Sequence, residues 1–554
     1  MRLSTPVREG AGPLRGLAFR ALPLAIALIG SGAHAAETIY LGEDTTLDSS
    51  LTLSYTASAR TSRPSGEYLN DLNSDDATRN FKRGALVNNR ASALGELRLK
   101  HDNVGAMLRG NIFYDAVYRS SNDNDSPTTV NKIGPANEFV AKTRERSGQD
   151  AQLLDAFVYG NWVVGNDQYL SLKLGRHVVA WGESLFWPNI SQGQLPVDAT
   201  KFNVPGTEAK ESYLPVGQLS ATLTLTDALS LTGYYQYKWE ETRLNPVGDF
   251  FGSDFFGPGA EFMRLAPGVI SNLPDNSFRV ANFAGEIKPR DSGQWGLGLR
   301  YQLSDALEMG LFHYRYHDRV GALLFDFTGT TNYSSFSRFG REASPGSTPY
   351  FKLGYFDDVK LTGISLSSKI GDSVQFGGDL SYRDGAPVYL DNGAPARGSY
   401  LQGNLNAIYI LGPSKLAHQT TLMGEIVHQR ITGVDDLTVS GGLPGQNGTF
   451  SNYEYDGQTR GSTVVGLGAI FDYPSIFSGW DLSTRAIWTQ NVQGSAYSGM
   501  GRDEKRLTLG ADFKYLGNLS LGLTWVNYLG SPSLVHQRNL ADRDYVSFNA
   551  KYTF

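Results

Sequence analysis

From residue 51 to residue 554 the chain falls into stretches of ten to fourteen residues in which apolar and polar positions alternate. Successive side chains of a strand point to opposite faces, so a period of two predicts strands with one apolar and one wet face. The last stretch is the clearest. Val546, Phe548, Ala550, Tyr552 and Phe554 share one parity, and Ser547, Asn549, Lys551 and Thr553 share the other. Ala106, Leu108, Gly110, Ile112 and Tyr114 oppose Arg109, Asn111 and Asp115 in the same way, and Gly310, Phe312, Tyr314 and Tyr316 oppose His313, Arg315 and His317. The pattern predicts strands near 51–60, 91–101, 104–118, 151–163, 168–181, 216–226, 229–242, 294–303 and 306–318. It continues near 359–369, 373–383, 399–411, 418–431, 461–473, 479–491, 504–516, 519–529 and 543–554. That is about eighteen, with sixteen as the other even count considered.

The connections sort by length. His101-Asp102-Asn103, Asp227-Ala228, Ser304-Asp305, Gly371-Asp372 and Gly517-Asn518 read as tight turns, whereas 61–90, 119–150, 182–215, 243–293, 319–358, 384–398 and 432–460 are long excursions. Short turns on one rim and long loops on the other are the pattern of an outer-membrane barrel; a soluble sandwich has no reason to sort its loops. The fold class predicted is therefore all-β, a transmembrane up-and-down antiparallel β-barrel with long extracellular loops. An even strand count puts both ends on the short-turn rim and requires the last strand to pair with 51–60, which removes both sheet edges. Phe548, Tyr552 and Phe554 form a terminal signal of the kind the barrel-assembly machinery accepts. That machinery, outer-membrane lipid and lipopolysaccharide are the partners this architecture implies. Aromatic residues are expected at the bilayer edges: Trp162, Tyr301, Tyr473, Trp480 and Tyr515 near short turns, and Tyr118, Trp181, Trp239, Tyr316, Trp488 and Tyr528 near strand tops.

Two segments break the pattern. In Lys173–Asn189, Leu170, Leu172 and Leu174 would face lipid and the same parity carries Arg176 there, at about 2–4 kcal/mol if it lies at mid-bilayer. Either a bulge at Gly175 turns Arg176 into the lumen or the strand ends early. The following loop, 182–215, is pinned by prolines at 188, 196, 205 and 215. It is expected to fold inward as a constriction or plug, with Arg176, Glu183, Lys201, Glu208, Lys210 and Glu211 forming ion pairs in the lumen; a solvated external loop is the alternative. The excursion 243–293 carries GDFFGSDFFGPGAEFM. Phe250, Phe251, Phe255 and Phe256 exposed to water would be an aggregation hazard, so they either pack on their surroundings or line a hydrophobic ligand site at the mouth.

Composition narrows the class further. No stretch after the first 35 residues is apolar enough and long enough for a membrane helix, and mean hydropathy is slightly negative, as expected when only every second residue meets lipid. Residues 1–35 read as a signal peptide: Arg2, Arg8, Arg15 and Arg20, then an apolar Ala21–Ile29, then Ala33-His34-Ala35. The domain predicted is the barrel, 36–554. Without the leader the balance is 45 basic against 54 acidic residues, a net −9, which argues against nucleic acid. The absence of cysteine excludes disulfides and Cys-ligated metals. No His-Glu-x-x-His pair and no Gly-x-Ser-x-Gly elbow occurs, so neither catalysis nor a cofactor is predicted. His313 and His317 are four strand residues apart, roughly 13 Å, too far for one metal. Asp71, Asp75, Asp76, Asp123 and Asp125 lack the glycine of a calcium loop and read as solvated loop residues. Arg98, Lys100, Arg109, Asp115, Asp155, Lys173, Arg300, Arg315, Lys360, Asp379, Arg383, Arg485, Asp512 and Lys514 are the charges predicted to face the lumen.

The segments GRHVVAWGESLFWPNISQGQLPVDATKFNVPGTEAKESYLPV and LTDALSLTGYYQYKWEETRLNPVGDFFGSDFF resemble the proteobacterial outer-membrane family catalogued as domain of unknown function 1302, densely over 173–260 and in architecture elsewhere. The resemblance implies an outer-membrane protein of a Gram-negative cell. It also implies an association with sterol- or terpene-like compounds, a periplasmic partner protein and a resistance-type exporter; no functional residue carries over. The leading expectation is a passive conduit, not energy-coupled, for small molecules, hydrophobic or amphipathic ones first. A porin for small polar solutes and a non-transport surface adhesin or envelope scaffold are the competing readings.

Overall fold

The computed structural model describes residues 38–165, 167–191, 193–265, 279–326, 350–439, 448–495 and 499–554. The predicted leader at 1–35 lies outside them, as do parts of the excursions 243–293, 319–358 and 432–460. Eighteen strands form the wall: β1 (Thr45–Arg60), β2 (Leu86–His101), β3 (Val104–Asp115), β4 (Gln149–Val164), β5 (Gln168–His177), β6 (Val216–Thr226), β7 (Leu229–Gln236), β8 (Gln294–Ser304) and β9 (Leu307–Tyr316). Then follow β10 (Val359–Ile370), β11 (Val374–Tyr389), β12 (Pro395–Leu411), β13 (Gln419–Val434), β14 (Gly461–Phe477), β15 (Trp480–Gln493), β16 (Lys505–Tyr515), β17 (Leu519–Leu529) and β18 (Tyr545–Thr553). Each pairs antiparallel with the next, and β18 returns to β1 from Thr52↔Thr553 to Arg60↔Tyr545. At the lower end of that seam Leu51 and Phe554 exchange backbone hydrogen bonds of 2.9 and 3.4 Å. Closure leaves no open edge in hydrocarbon, where an unpaired amide or carbonyl costs several kcal/mol.

The period-two pattern sets which face is which. Val158, Leu174, Leu219 and Tyr235 are successive cross-strand neighbours from β4 to β7, and all four are exposed on the outer face. Leu405 and Ile426, and Leu523 and Phe548, continue this apolar surface elsewhere around the wall. Phe548 and Tyr552 point outward from β18, and Tyr552 meets Phe554 edge to face at 4.6 Å. Trp162, Tyr301 and Tyr515 stand exposed near the short turns.

Three expectations are corrected. The segment 384–398 is a hairpin: β11 and β12 stay paired out to Tyr389↔Pro395. The register steps between Asp384 and Ala386, where Gly385 takes φ +80°, so its Gly and Pro mark a bulge that keeps the ladder running. In the upper halves of β9 and β10 the faces are reversed, whereas Leu311, Leu366 and Ile370 lower down still face outward. Phe312, Tyr314 and Tyr316 are buried inside, while His313 is exposed outside and Arg315 and Lys360 are cross-strand neighbours on that outer face. In this sector the lumen is filled with protein, so the apolar parity turns inward. Trp181 and Tyr316 are buried in this sector's core, Trp239 packs on Tyr355, and Tyr118 is buried in a separate cluster with Phe81, Phe139 and Phe250, although strand-end aromatics are otherwise expected at the lipid interface.

The seam can be tested directly. Ser58 Oγ donates to Ser547 Oγ at 2.8 Å across 489 positions of sequence. The pair Ser58→Cys/Ser547→Cys is expected to oxidise to one disulfide, producing a large shift in non-reducing electrophoresis that reductant abolishes. Failure to cross-link in the folded protein would show that β18 does not meet β1 in this register.

Candidate functional site

The segment between β5 and β6 turns into the barrel and spans it from wall to wall. Trp181 leads it in, stacked on Phe312 at 5.3 Å and packed on Tyr234 at 5.1 Å. Gly182 follows at φ +91°, and a Cβ there would come within 2.7 Å of the Asp379 carboxylate, so only glycine makes this turn. Asp379 accepts from the Glu183 amide at 3.0 Å and the Ser184 hydroxyl at 2.9 Å. Glu425 then accepts from three consecutive amides, Leu185 at 3.1 Å, Phe186 at 2.6 Å and Trp187 at 3.1 Å, and from Asn404 Nδ2 at 3.1 Å. Both carboxylates are buried. Three successive N–H groups converging on one oxygen pair form an anion nest, here filled by the protein's own side chain. Asn189 completes the clamp through Ser381, Asn404 and Arg383, whose Nη2 donates to the Asn189 carbonyl at 3.1 Å.

The second half of the loop docks on the opposite wall through two single-turn helices, Ala199–Phe202 and Ala209–Ser212. Asp198 caps the first by accepting from the Thr200 amide at 3.2 Å, and Glu208 and Glu211 form a capping box on the second. Glu208 also reaches Lys551 of β18 at 2.9 Å and Lys210 at 3.0 Å; Lys210 reaches Glu96 of β2 at 2.6 Å. Glu211 accepts from Asn111 of β3 at 3.0 Å, and Lys201 donates to Gln152 of β4 at 2.7 Å. Burial works against ionising Glu208, but Lys551 and Lys210 outweigh it and hold its carboxyl below the usual range. Lys201 differs. Burial lowers its ammonium to about 8 although Asp198 and Glu211 favour the charge, because Asp198, at 3.9 Å, is shared with Arg243. Glu183 stands 3.8 Å from Arg300. Burial raises its pKa further than Arg300 lowers it.

Of the six loop charges singled out from sequence, five are thus brought to the lumen wall. Arg176 is not among them. The β4–β5 and β5–β6 ladders run through Gly175 without a register shift, and β5 ends two residues later at His177. Arg176 keeps the parity of Leu174 and forks onto Glu240 beyond the end of β7, with Nη2 at 3.2 Å, so its charge is paired where it points outward. Of the predicted lumen charges, Asp379 and Arg383 are part of the clamp. Glu425 was not marked by the sequence: it is one carboxylate at an inward position of β13 between Met423 and Val427, and its role depends on amides about 240 positions away.

The phenylalanine patch packs on its own surroundings. Phe250 is fully buried with Phe81, Tyr118 and Phe139, its ring 5.2 Å from Phe81. Phe251 meets Tyr545 edge to face at 5.8 Å, and Phe255 meets Phe351 at 6.2 Å. Phe256 is half-buried. Among the described residues, no group of three or more His, Asp or Glu side chains is placed to hold a metal ion.

An eighteen-strand closed wall, apolar outside and crossed inside by a clamped loop, defines a transmembrane antiparallel β-barrel. The sequence matches the family described as "Protein of unknown function (DUF1302)" over residues 17–554, and the chain belongs to that family. The match extends well beyond the 173–260 stretch in which the sequence resemblance is densest. No curated protein matches the chain. Among solved structures it is similar to OccAB1 of Acinetobacter baumannii, at 10% identity and a TM-score of 0.44, covering 94% of this chain and 99% of that one. It is also similar to OccK3 (OpdO) of Pseudomonas aeruginosa, at 13% identity and a TM-score of 0.40, covering 93% and 96%. A BenF-like porin from Pseudomonas fluorescens Pf-5 aligns at 12% identity and a TM-score of 0.41, covering 92% and 98%.

Two outcomes follow from the clamp. Glu425→Ala strands three buried amides and is expected to weaken the inserted state of 182–191 by about 3 kcal/mol or more. This is read as faster protease cleavage within that segment while the heat-modifiable mobility of the barrel is unchanged; an unchanged cleavage rate would show that Glu425 does not hold the loop. Lys201 gives a pH dependence. Its pKa is depressed in the inserted loop, so a released loop binds more protons between about pH 8 and the ordinary lysine value. Insertion is therefore favoured as pH rises through that window, and the advantage is lost as pH falls below about 8. Cleavage within 198–214 should slow from pH 7 to pH 10, after correction for the protease's own profile, and Lys201→Met should abolish the slope.

Proposed function

We propose that this chain is a passive outer-membrane conduit for small molecules in a Gram-negative cell, its bore set by the inserted loop. The observation that carries the reading is the clamp: two buried wall carboxylates, Asp379 and Glu425, hold 182–187 across a cylinder wide enough for an aqueous channel. A mere scaffold has no need of a constriction built from buried, fully partnered charge. In this reading the leader at 1–35 directs export and the barrel-assembly machinery accepts the Phe554 end.

The cargo proposed is amphipathic. The inner wall offers charged and aromatic groups side by side, with Arg98 close to Tyr159 and Lys173 close to Phe157. The Phe250–Phe256 patch gives less support to a purely hydrophobic cargo, because Phe250 and Phe255 are engaged in packing. A second reading, a porin for small polar solutes, is favoured by ion pairs of the bore such as Arg485–Asp512.

Planar bilayers with purified full-length protein test the proposal. The intact chain is expected to give small, resolvable current steps, and Glu425→Ala larger or noisier ones. Silent membranes with both proteins would overturn the conduit and favour an adhesin or scaffold. Large steady steps in the intact protein would show that the loop does not constrict the bore.

A further inference from the structure

Below the Lys210–Glu96 contact, the inner wall of β2–β5 holds a recess of about 420 Å³ that the loop clamp does not use. Its floor is aromatic. Phe157 and Tyr159 share the inward parity of β4, their ring centroids 6.2 Å apart. Tyr159 sits opposite Gly105 of β3, where a Cβ would come within 2.5 Å of the ring. Glycine at that position lets the ring lie against the wall, with one face turned to the bore.

Two cations border this floor. Arg98 of β2 stands 5.8 Å from the Tyr159 centroid and donates from Nε to the Tyr159 hydroxyl at 3.4 Å. Lys173 of β5, the cross-strand neighbour of Tyr159, has its Nζ 5.7 Å from the Phe157 centroid. The third cation of the recess is already engaged: Arg109 bonds Glu96 at 2.7 Å and Asp155 at 2.5 Å, which also neutralises the one acid lining the recess. Among the described residues, neither Arg98 nor Lys173 has a carboxylate within 4.0 Å. The recess therefore combines two ring faces with two cations held near them outside any ion pair, Arg98 being attracted at longer range by its cross-strand neighbour Asp48, on four adjacent strands whose registers fix their spacing. Cation and ring face on one rigid surface are complementary to a molecule that is itself half anion and half apolar.

We propose that this recess is a binding subsite for small organic carboxylates with an aromatic or apolar body, the body lying on Phe157 and Tyr159 and the carboxylate between Arg98 and Lys173. The proposal rests on the conduit reading above and names the class of cargo it would take. Neutral hydrophobes would lose the cations, and small inorganic anions would lose the floor.

Isothermal titration calorimetry on the full-length protein in nonionic detergent tests it, with phenylacetate as the probe and acetate, benzyl alcohol and benzylamine as comparators. Phenylacetate is expected to bind at least tenfold tighter than any comparator, and more weakly as salt rises. Arg98→Gln/Lys173→Gln and, separately, Phe157→Ala should each lower its affinity at least tenfold. Unchanged heat-modifiable mobility shows that the variants fold; Lys173→Arg, which keeps the charge, should retain most of the affinity. Equal binding of all four probes, or affinity indifferent to these substitutions, overturns the subsite. Calorimetry does not depend on conduction, so the two readings fail separately. Phenylacetate binding by a protein that is silent in bilayers sinks the conduit and leaves the subsite, whereas conduction without selective binding sinks the subsite alone.

Discussion

Closure of the sheet is the constraint from which everything else in this protein follows. In hydrocarbon the backbone must satisfy all its polar groups internally, and eighteen strands do so only when β18 returns to β1. The seam is secured on its inner face as well, where Ser58 meets Ser547 and Thr52 meets Thr553. Once the wall is closed, its outer face has to be apolar, and its inner face is free to carry whatever the interior requires.

A cylinder this wide has an interior to fill, and the protein fills it unevenly. Against β9–β13 the lumen is a protein core, with Trp181 and Ile190 of the loop packed on Phe312, Tyr314 and Tyr400 of the wall. Against β2–β4 and β18 the contact is polar, through Lys210–Glu96, Glu208–Lys551, Glu211–Asn111 and Lys201–Gln152. Buried charges are tolerable only when partnered, and the anchor carboxylates Asp379 and Glu425 are met by amides and side chains on several sides. The loop is thus positioned by an apolar wall on one side and an ionic one on the other. The recess of Arg98, Phe157, Tyr159 and Lys173 lies on the polar side, where the wall's side chains are not consumed by packing.

The site was partly legible in the sequence. The prolines and charges of 182–215 pointed to an ordered, inward loop, and Glu183, Lys201, Glu208, Lys210 and Glu211 do meet the inner wall. Arg176 belongs to the same set only if a bulge at Gly175 turns it inward; the ladder is unbroken there, and its parity carries the side chain outward to Glu240. The phenylalanines at 250–256 were ambiguous, because burial against the protein and burial against a ligand leave the same local pattern. Glu425 left no signal, since a lone carboxylate at an inward position reads as lumen solvation until the amides that reach it are placed.

By itself, the sequence determined the wall. The alternation in Val546–Phe554, the short turns at Asp102 and Gly371 and the long excursions between them are local features, and the pleat converts a local period of two directly into an inside and an outside. Only the tertiary structure decided what the inside holds. It reversed the faces of Phe312, Tyr314 and Tyr316, because the neighbour that buries them is a loop from between β5 and β6. It turned 384–398 into a hairpin through the bulge at Gly385, and it brought the amides of 185–187 to Glu425. Those outcomes depend on partners tens to hundreds of positions distant, and neither alternation nor composition encodes which surfaces the closed cylinder brings face to face.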